Sequence, residues 1–408
     1  MSAEYHSVAL PRGFRFLFAG TLVASALMPF VPDEISVETI SFVVLLALWS
    51  ALALSMRLRA PKQPRRFASV ALAVLYVSIL ASLPIALGNG ILFSEWLRGV
   101  VPFVFLASYA LFPLLTPDDC AFILRSVLLA AVCWLLKSLA TALPEFLSGT
   151  QARLTYVSKD FQLPFALIGI AVLLFWGTKR RPVESALLTL VLVAVVIATG
   201  YRSQALLVGL LWLAYVARQS RRRRFVLGTT SVAVAGAFLG WLASSSFGET
   251  YVARFEGLQT ELTSQRAVET LYGLRKFSEA PVLGKGLGFP VPLAVNQFGV
   301  TEPVPTGSSD HVGYLHNVWI YLGMDLGIFG LVAYLAFFTA AVVSGLRSRG
   351  GERDAMVAAS FTVGTLLLYF SVQAAFREIQ MNFLLGSLCA LLVKAETAAV
   401  PPAPARAV

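Results

Sequence analysis

RLRAPKQPRRFASVALAVLYVSILASLPIALGNGILFSEW, residues 57–96, holds the three kinds of segment from which the whole chain is built. Five Lys/Arg crowd into 57–66, an apolar run fills 68–87, and the loop 88–96 has no cation. A run of about 20 apolar residues is the length a helix needs to cross the ~30 Å hydrocarbon core of a bilayer. A helix is also one of the few ways to satisfy backbone N–H and C=O groups where no water is present. The unit therefore reads as inner anchor, transmembrane helix and outer turn.

The rest of the chain repeats that unit. Hydrophobic residues make up 57% of the 408 and charged residues 13%, too little charge to cover a soluble surface. Apolar runs recur at about 14–31, 39–56, 68–87, 99–116, 121–142, 161–177, 183–199, 202–217, 225–244, 322–346, 355–373 and 381–395. They predict an all-α integral membrane protein with about 12 transmembrane helices. The organisation is spans one to nine over 1–244, a large, partly helical loop over 245–317, spans ten to twelve over 318–396, and a Pro/Ala-rich disordered tail over 397–408.

Loop charge orients the bundle. RLRAPKQPRR (57–66), TKRRP (178–182), RQSRRRR (218–224) and RSRGGER (347–353) carry five, three, five and three Lys/Arg, and all fall on one side if the spans alternate. The positive-inside rule places that side and both termini in the cytoplasm, and the long loop outside. The net charge of +10 is spent on these orientation signals, which argues against nucleic acid as a partner.

The long loop holds two of the three histidines, His311 and His316, with Arg254, Arg266, Arg275, Lys276 and Lys285. Leu262–Ser278 reads as a helix with Val268, Leu271, Leu274 and Phe277 as a partial apolar stripe. Arg266 and Arg275, nine residues apart, then point to opposite faces. APVLGKGLGF, with Gly284, Gly286 and Gly288, reads as a flexible turn back to the membrane whose N–H groups are able to approach a phosphate. Arg202 sits in a short outer turn at the rim of the bundle. Arg377 also faces outward between the last two spans.

His316 precedes the tenth span beside Asn317, Trp319 and Tyr321, aromatics that set it at headgroup depth. A metal site there would draw on His311, His316 and Asp310, and no metal is expected. Neighbouring guanidinium groups disfavour the protonated imidazole, so His316 suits a general base. Arg202 and Arg266 suit bidentate contacts to a diphosphate and to the charge that gathers on it as it departs. Arg275, Asn317, Tyr314 and His311 are possible supporting residues.

These features resemble the O-antigen ligase and O-antigen polymerase superfamily of bacterial envelope glycosyltransferases. HNVWIYLGMDLGIFG is similar to the family's His-Asn-x-x-Leu followed by Gly-x-x-Gly, with Ile320 in the Leu place. Arg202 in GYRSQALL is similar to its Ser-Arg-Gly segment, with Tyr201 and Ser203 as departures, and Arg266 in SQRAVETLYGL to its loop arginine. The resemblance implies metal-independent glycosyl transfer, without a cofactor, at the periplasmic face of the bacterial inner (plasma) membrane. The donor would be a glycan on undecaprenyl diphosphate, and His316 would activate the acceptor hydroxyl. A ligase would use a lipid A–core oligosaccharide as acceptor and a polymerase a second lipid-linked repeat; the single dominant outer loop favours the ligase. Membrane lipids surround either. A transporter of the same lipid is the rival reading, and it would need charges at mid-membrane on broken helices.

Overall fold

The computed structural model describes residues 12–27, 67–114, 117–148, 164–199, 202–243, 265–292, 311–312, 315–348 and 353–398, with single positions at 44, 47 and 51. Helices follow the predicted runs closely: α1 Arg12–Leu27, α2 Phe67–Gly88, α3 Phe93–Val104, α4 Pro117–Leu147, α5 Pro164–Val172, α6 Pro182–Ala198, α7 Arg202–Ala217 and α8 Arg221–Ala243. After the long loop's own helix, α9 Gln265–Glu279, come α10 Val318–Arg347, α11 Arg353–Phe370 and α12 Ile379–Ala398. The expected second span, 39–56, lies almost wholly outside the described residues.

Three described helices are long and apolar enough to cross a membrane: Phe67–Gly88, Asp119–Thr141 and Val318–Arg347. Four shorter apolar helices, Gly13–Leu27, Pro182–Ala198, Ser203–Ala217 and Ile379–Val393, accompany them. Among the described residues the membrane-embedded chain is all-helical, apart from a two-residue antiparallel bridge of β1 Val291–Pro292 with β2 His311–Val312. The predicted fourth run is two elements, because α3 tightens into a 3₁₀ stretch, Phe105–Leu114, after Pro102.

α10, α11, α12 and α5 form the centre; α2 packs along α10 and α1 along α4. The core is apolar, with Phe337, Phe338, Phe370, Phe376 and Phe383 almost wholly buried. One buried charge is paired across helices: Asp119 in the first turn of α4 meets Arg15 of α1 at 2.7 Å.

Polar contacts tie the loops together at both ends of the bundle. At one end Lys179 pairs with Asp354, joining two of the basic loops. At the other end the Asn89 side chain donates to the Lys285 carbonyl at 2.8 Å. Trp319 Nε1 donates to Ser371 Oγ at 2.6 Å, so the turn after α11 meets the start of α10.

α10 is not one straight span. Gly327 has φ +66° and ψ −169°, a conformation that breaks the helix and that glycine adopts without steric cost. The bend brings the rings of Trp319 and Tyr334 to 6.0 Å, although fifteen residues of straight helix would separate them by about 22 Å. The arm 328–347 is about 30 Å long, the depth of the hydrocarbon core. The predicted run 322–346 lies within this helix, and 318–326 bends away from the arm at Gly327.

Candidate active site

Asn317 fixes the start of α10. Its backbone is extended, and its side-chain oxygen accepts from the N–H groups of Trp319 at 3.0 Å and Ile320 at 3.3 Å. That is the work of an N-cap, satisfying donors the helix leaves open. His316 is the residue immediately before this cap, so its backbone is placed by the helix it precedes.

α9 lies against this segment and supplies the partner of the histidine. Glu269 Oε2 lies 2.7 Å from His316 Nδ1. It also accepts the His316 backbone N–H at 3.4 Å. The carboxylate is 3% exposed and the imidazole 28%, so the acid is inside and the base is reachable. An oxygen already accepting one N–H suits the tautomer in which Nδ1 carries the proton and Nε2 carries the lone pair. Among the described residues a neighbour of His316 is this carboxylate; the side chains of Arg202 and Arg266, the guanidinium groups expected near it, lie outside the described residues.

The packing face of α9 also differs from the expected stripe. Leu271 and Leu274 are exposed at 59% and 47%. Glu269, Gly273 and Phe277 face α10 instead, spaced four residues apart. Leu315 and Ile320 occupy the space a side chain at 273 would need, and the Phe277 ring lies over Gly323. Glycine lets the two helices approach closely, and that closeness brings Glu269 to His316. Tyr272 donates to the Pro290 carbonyl at 3.2 Å, and burial pushes its hydroxyl up to about 12, so it stays protonated at neutral pH.

The glycine-rich stretch is neither a free turn nor a phosphate cradle. It fills the break in α10: Lys285 N–H donates to Met324 O at 2.7 Å, Gly286 N–H to Asp325 O at 2.9 Å, and Ile328 N–H to Pro281 O at 2.9 Å. Gly288 N–H donates to the wholly buried Asp325 carboxylate at 3.2 Å. The N–H groups of Lys285, Gly286 and Gly288, expected to meet a phosphate, are spent on α10, and that of Gly284 on the Ala280 carbonyl at 3.0 Å. At Gly286, φ +93° and the Ala86 backbone, 2.6 Å from where a Cβ would sit, leave room for glycine only.

Arg266 lies in the first turn of α9, three residues before Glu269, and positions so spaced are neighbours on a helix surface. Arg202 is the first residue of α7, and His311 sits in β2 opposite Pro292. The side chains of Arg202, Arg266 and His311 are outside what the structure describes, as are Tyr314 and Asp310 entirely. Arg275 is exposed at 66% and reaches Glu279 at 3.9 Å, towards the far end of α9 from Glu269.

Two groups escaped the sequence reading. Glu269 is one; its signal was an acid on the same stripe as Gly273 and Phe277, one turn from Arg266. Asp325 is the other, buried beside Tyr321, with the Arg377 charge close enough to act on both. Arg377, in the turn between α11 and α12, is half-buried.

Fold and site together define a helical membrane protein with a buried carboxylate holding a reachable histidine at one end of its bundle. Residues 187–335 match the family described as O-antigen ligase, a stretch that includes Arg202, Arg266, Glu269 and His316. Over that stretch the chain is similar to membrane glycosyltransferases of the O-antigen ligase and polymerase type. No curated protein matches the chain.

Proposed function

We propose that the protein is an O-antigen ligase that moves a glycan from undecaprenyl diphosphate to a lipid A–core oligosaccharide at the periplasmic face of the bacterial inner membrane. The observation that carries this reading is the 2.7 Å contact between His316 Nδ1 and Glu269. Glu269 holds the imidazole so that Nε2 accepts the proton of the acceptor hydroxyl. That oxygen forms a bond to the anomeric carbon while the bond from that carbon to the diphosphate oxygen breaks. The diphosphate leaves with the electron pair, and the Glu269 carboxylate stabilises the imidazolium that results.

Arg202 and Arg266 bind the diphosphate and balance the charge it gains. The loop match at GYRSQALL and SQRAVETLYGL supports their role. The reaction needs no metal in this scheme.

The test offers the purified protein a lipid-linked glycan with either a lipid A–core acceptor or a second lipid-linked repeat, with and without chelator. Glycosylated lipid A–core, formed equally with chelator present, is the expected product. An elongated lipid-linked glycan would make the protein a polymerase. Activity lost to chelator and restored by a divalent cation would overturn the metal-independent step.

A further inference from the structure

Three buried side chains where α12 begins take no part in the reaction proposed above, and each has an unmet need. Glu378, Gln380 and Asn382 are at most 1% exposed. Glu378 Oε1, Gln380 Oε1 and Asn382 Oδ1 are shut off from water and meet no hydrogen-bond donor among the described residues. An acceptor left in that state carries the full cost of its desolvation.

The nitrogen ends of the two amides are placed. Gln380 Nε2 donates to Glu378 Oε2 at 3.2 Å. Asn382 Nδ2 donates to the Phe376 carbonyl at 2.6 Å and to the Glu378 carbonyl at 3.0 Å. Turning either amide over would set oxygen against oxygen, so these bonds fix which end is which. They also fold both side chains around residue 378.

Charge is unmet as well. Among the described residues no cation acts on Glu378; the charge of its chain neighbour Arg377 acts on Tyr321 and Asp325. A lone carboxylate away from water is costly unless a positive charge neutralises it. Oxygen ligands suit a hard cation. One negative charge among three such oxygens suits an ion of charge one, since a divalent ion would leave a buried excess.

We propose that Glu378, Gln380 and Asn382 bind a monovalent alkali cation through Glu378 Oε1, Gln380 Oε1 and Asn382 Oδ1. The ion is structural, and no reacting group is among its ligands. It closes the turn between α11 and α12, which braces α10 twice. Ser371 accepts from Trp319, three residues after His316, and the Phe376 ring lies 5.0 Å from that of Tyr321. The Ser108 hydroxyl donates to the Phe383 carbonyl at 2.7 Å and anchors α12 one residue beyond the site.

The test measures binding of radioactive sodium and rubidium, the latter standing for potassium, to the purified full-length protein in nanodiscs without glycan. One ion bound per chain, displaced by unlabelled sodium or potassium chloride but not by choline chloride, is the expected result. Glu378→Gln should abolish binding, and Gln380→Met, which keeps the carboxylate, should weaken it at least about tenfold. Glu279→Gln, the same change at a partly exposed carboxylate, is the control and should bind as the wild type does. Thermal unfolding of the wild type should shift upward saturably with sodium or potassium chloride relative to choline chloride at equal ionic strength. In Glu378→Gln that shift should vanish.

No bound ion, binding that survives Glu378→Gln, or a melt identical in all three salts would overturn the proposal and leave Glu378 neutralised by its own proton. None of these readings involves glycan transfer, so their failure and that of the proposed function are separate events.

Discussion

Two glutamates ten residues apart on α9 have opposite surroundings. Glu269 is buried against α10 and holds one imidazole at 2.7 Å. Glu279, 35% exposed, is shared by Arg275, Lys276 and Lys285. The first sits where Gly273 lets two helices touch; the second sits where the helix turns away into the glycine-rich loop. Burial, more than residue type, separates a group that positions a base from one that balances surface charge.

Removing the base should have the largest effect. His316→Ala should lower glycan transfer by about 10³-fold, within the range ascribed to general bases. Transfer at the wild-type rate would remove His316 from the reaction. Glu269→Ala should follow, with a loss of about 10²-fold in the turnover rate and little change in apparent affinity for the donor. A rise in KM alone would mean that Glu269 serves donor binding and not the histidine.

The next prediction concerns what holds the buried end together. Gly327→Ala puts a side chain at φ +66° against the Val282 carbonyl, so thermal unfolding in detergent should show a loss of about 1–3 kcal/mol. An unchanged melt would mean the break in α10 is not needed for the fold.

Glu279→Gln should change least. Its bonds to Lys285 and Lys276 hold its carboxyl below the usual range. Such a group adds stability above its unfolded value near 4.5 and loses it as pH falls through the lower folded value. Being partly exposed, it should give only a small acid-side loss of stability, absent in Glu279→Gln, and no change in transfer at neutral pH. A large transfer defect in this variant would erase the contrast with Glu269.

Much of the fold was legible in the chain. Runs such as 68–87 and 183–199 return as α2 and α6 within a few residues, because apolar length is what a membrane reads. The break at Gly327 was not legible. Glycine is common in such helices, and what makes this one a hinge is Lys285 and Gly286 supplying N–H groups to carbonyls about forty residues away. That filling also bears on the transporter reading. A broken helix beside a buried acid was its signature, yet here the chain's own loop seals the break near one end of the span.

In the candidate site, His316, Arg266 and Arg202 were readable as chemistry at a loop. Glu269 was not, because its role depends on a partner 47 residues later in the chain. Hydrophobicity alone also turned Leu271 and Leu274 inward, when the closest contact belongs to a glycine.

The account rests most directly on which nitrogen of His316 carries the proton. The chain has three histidines, so ¹⁵N-histidine labelling gives a spectrum that single substitutions can assign. In its neutral form the His316 ring should show Nδ1 protonated and Nε2 unprotonated, and Glu269→Ala should abolish that preference. A neutral ring protonated at Nε2 in the intact protein, or one indifferent to Glu269, would contradict the account.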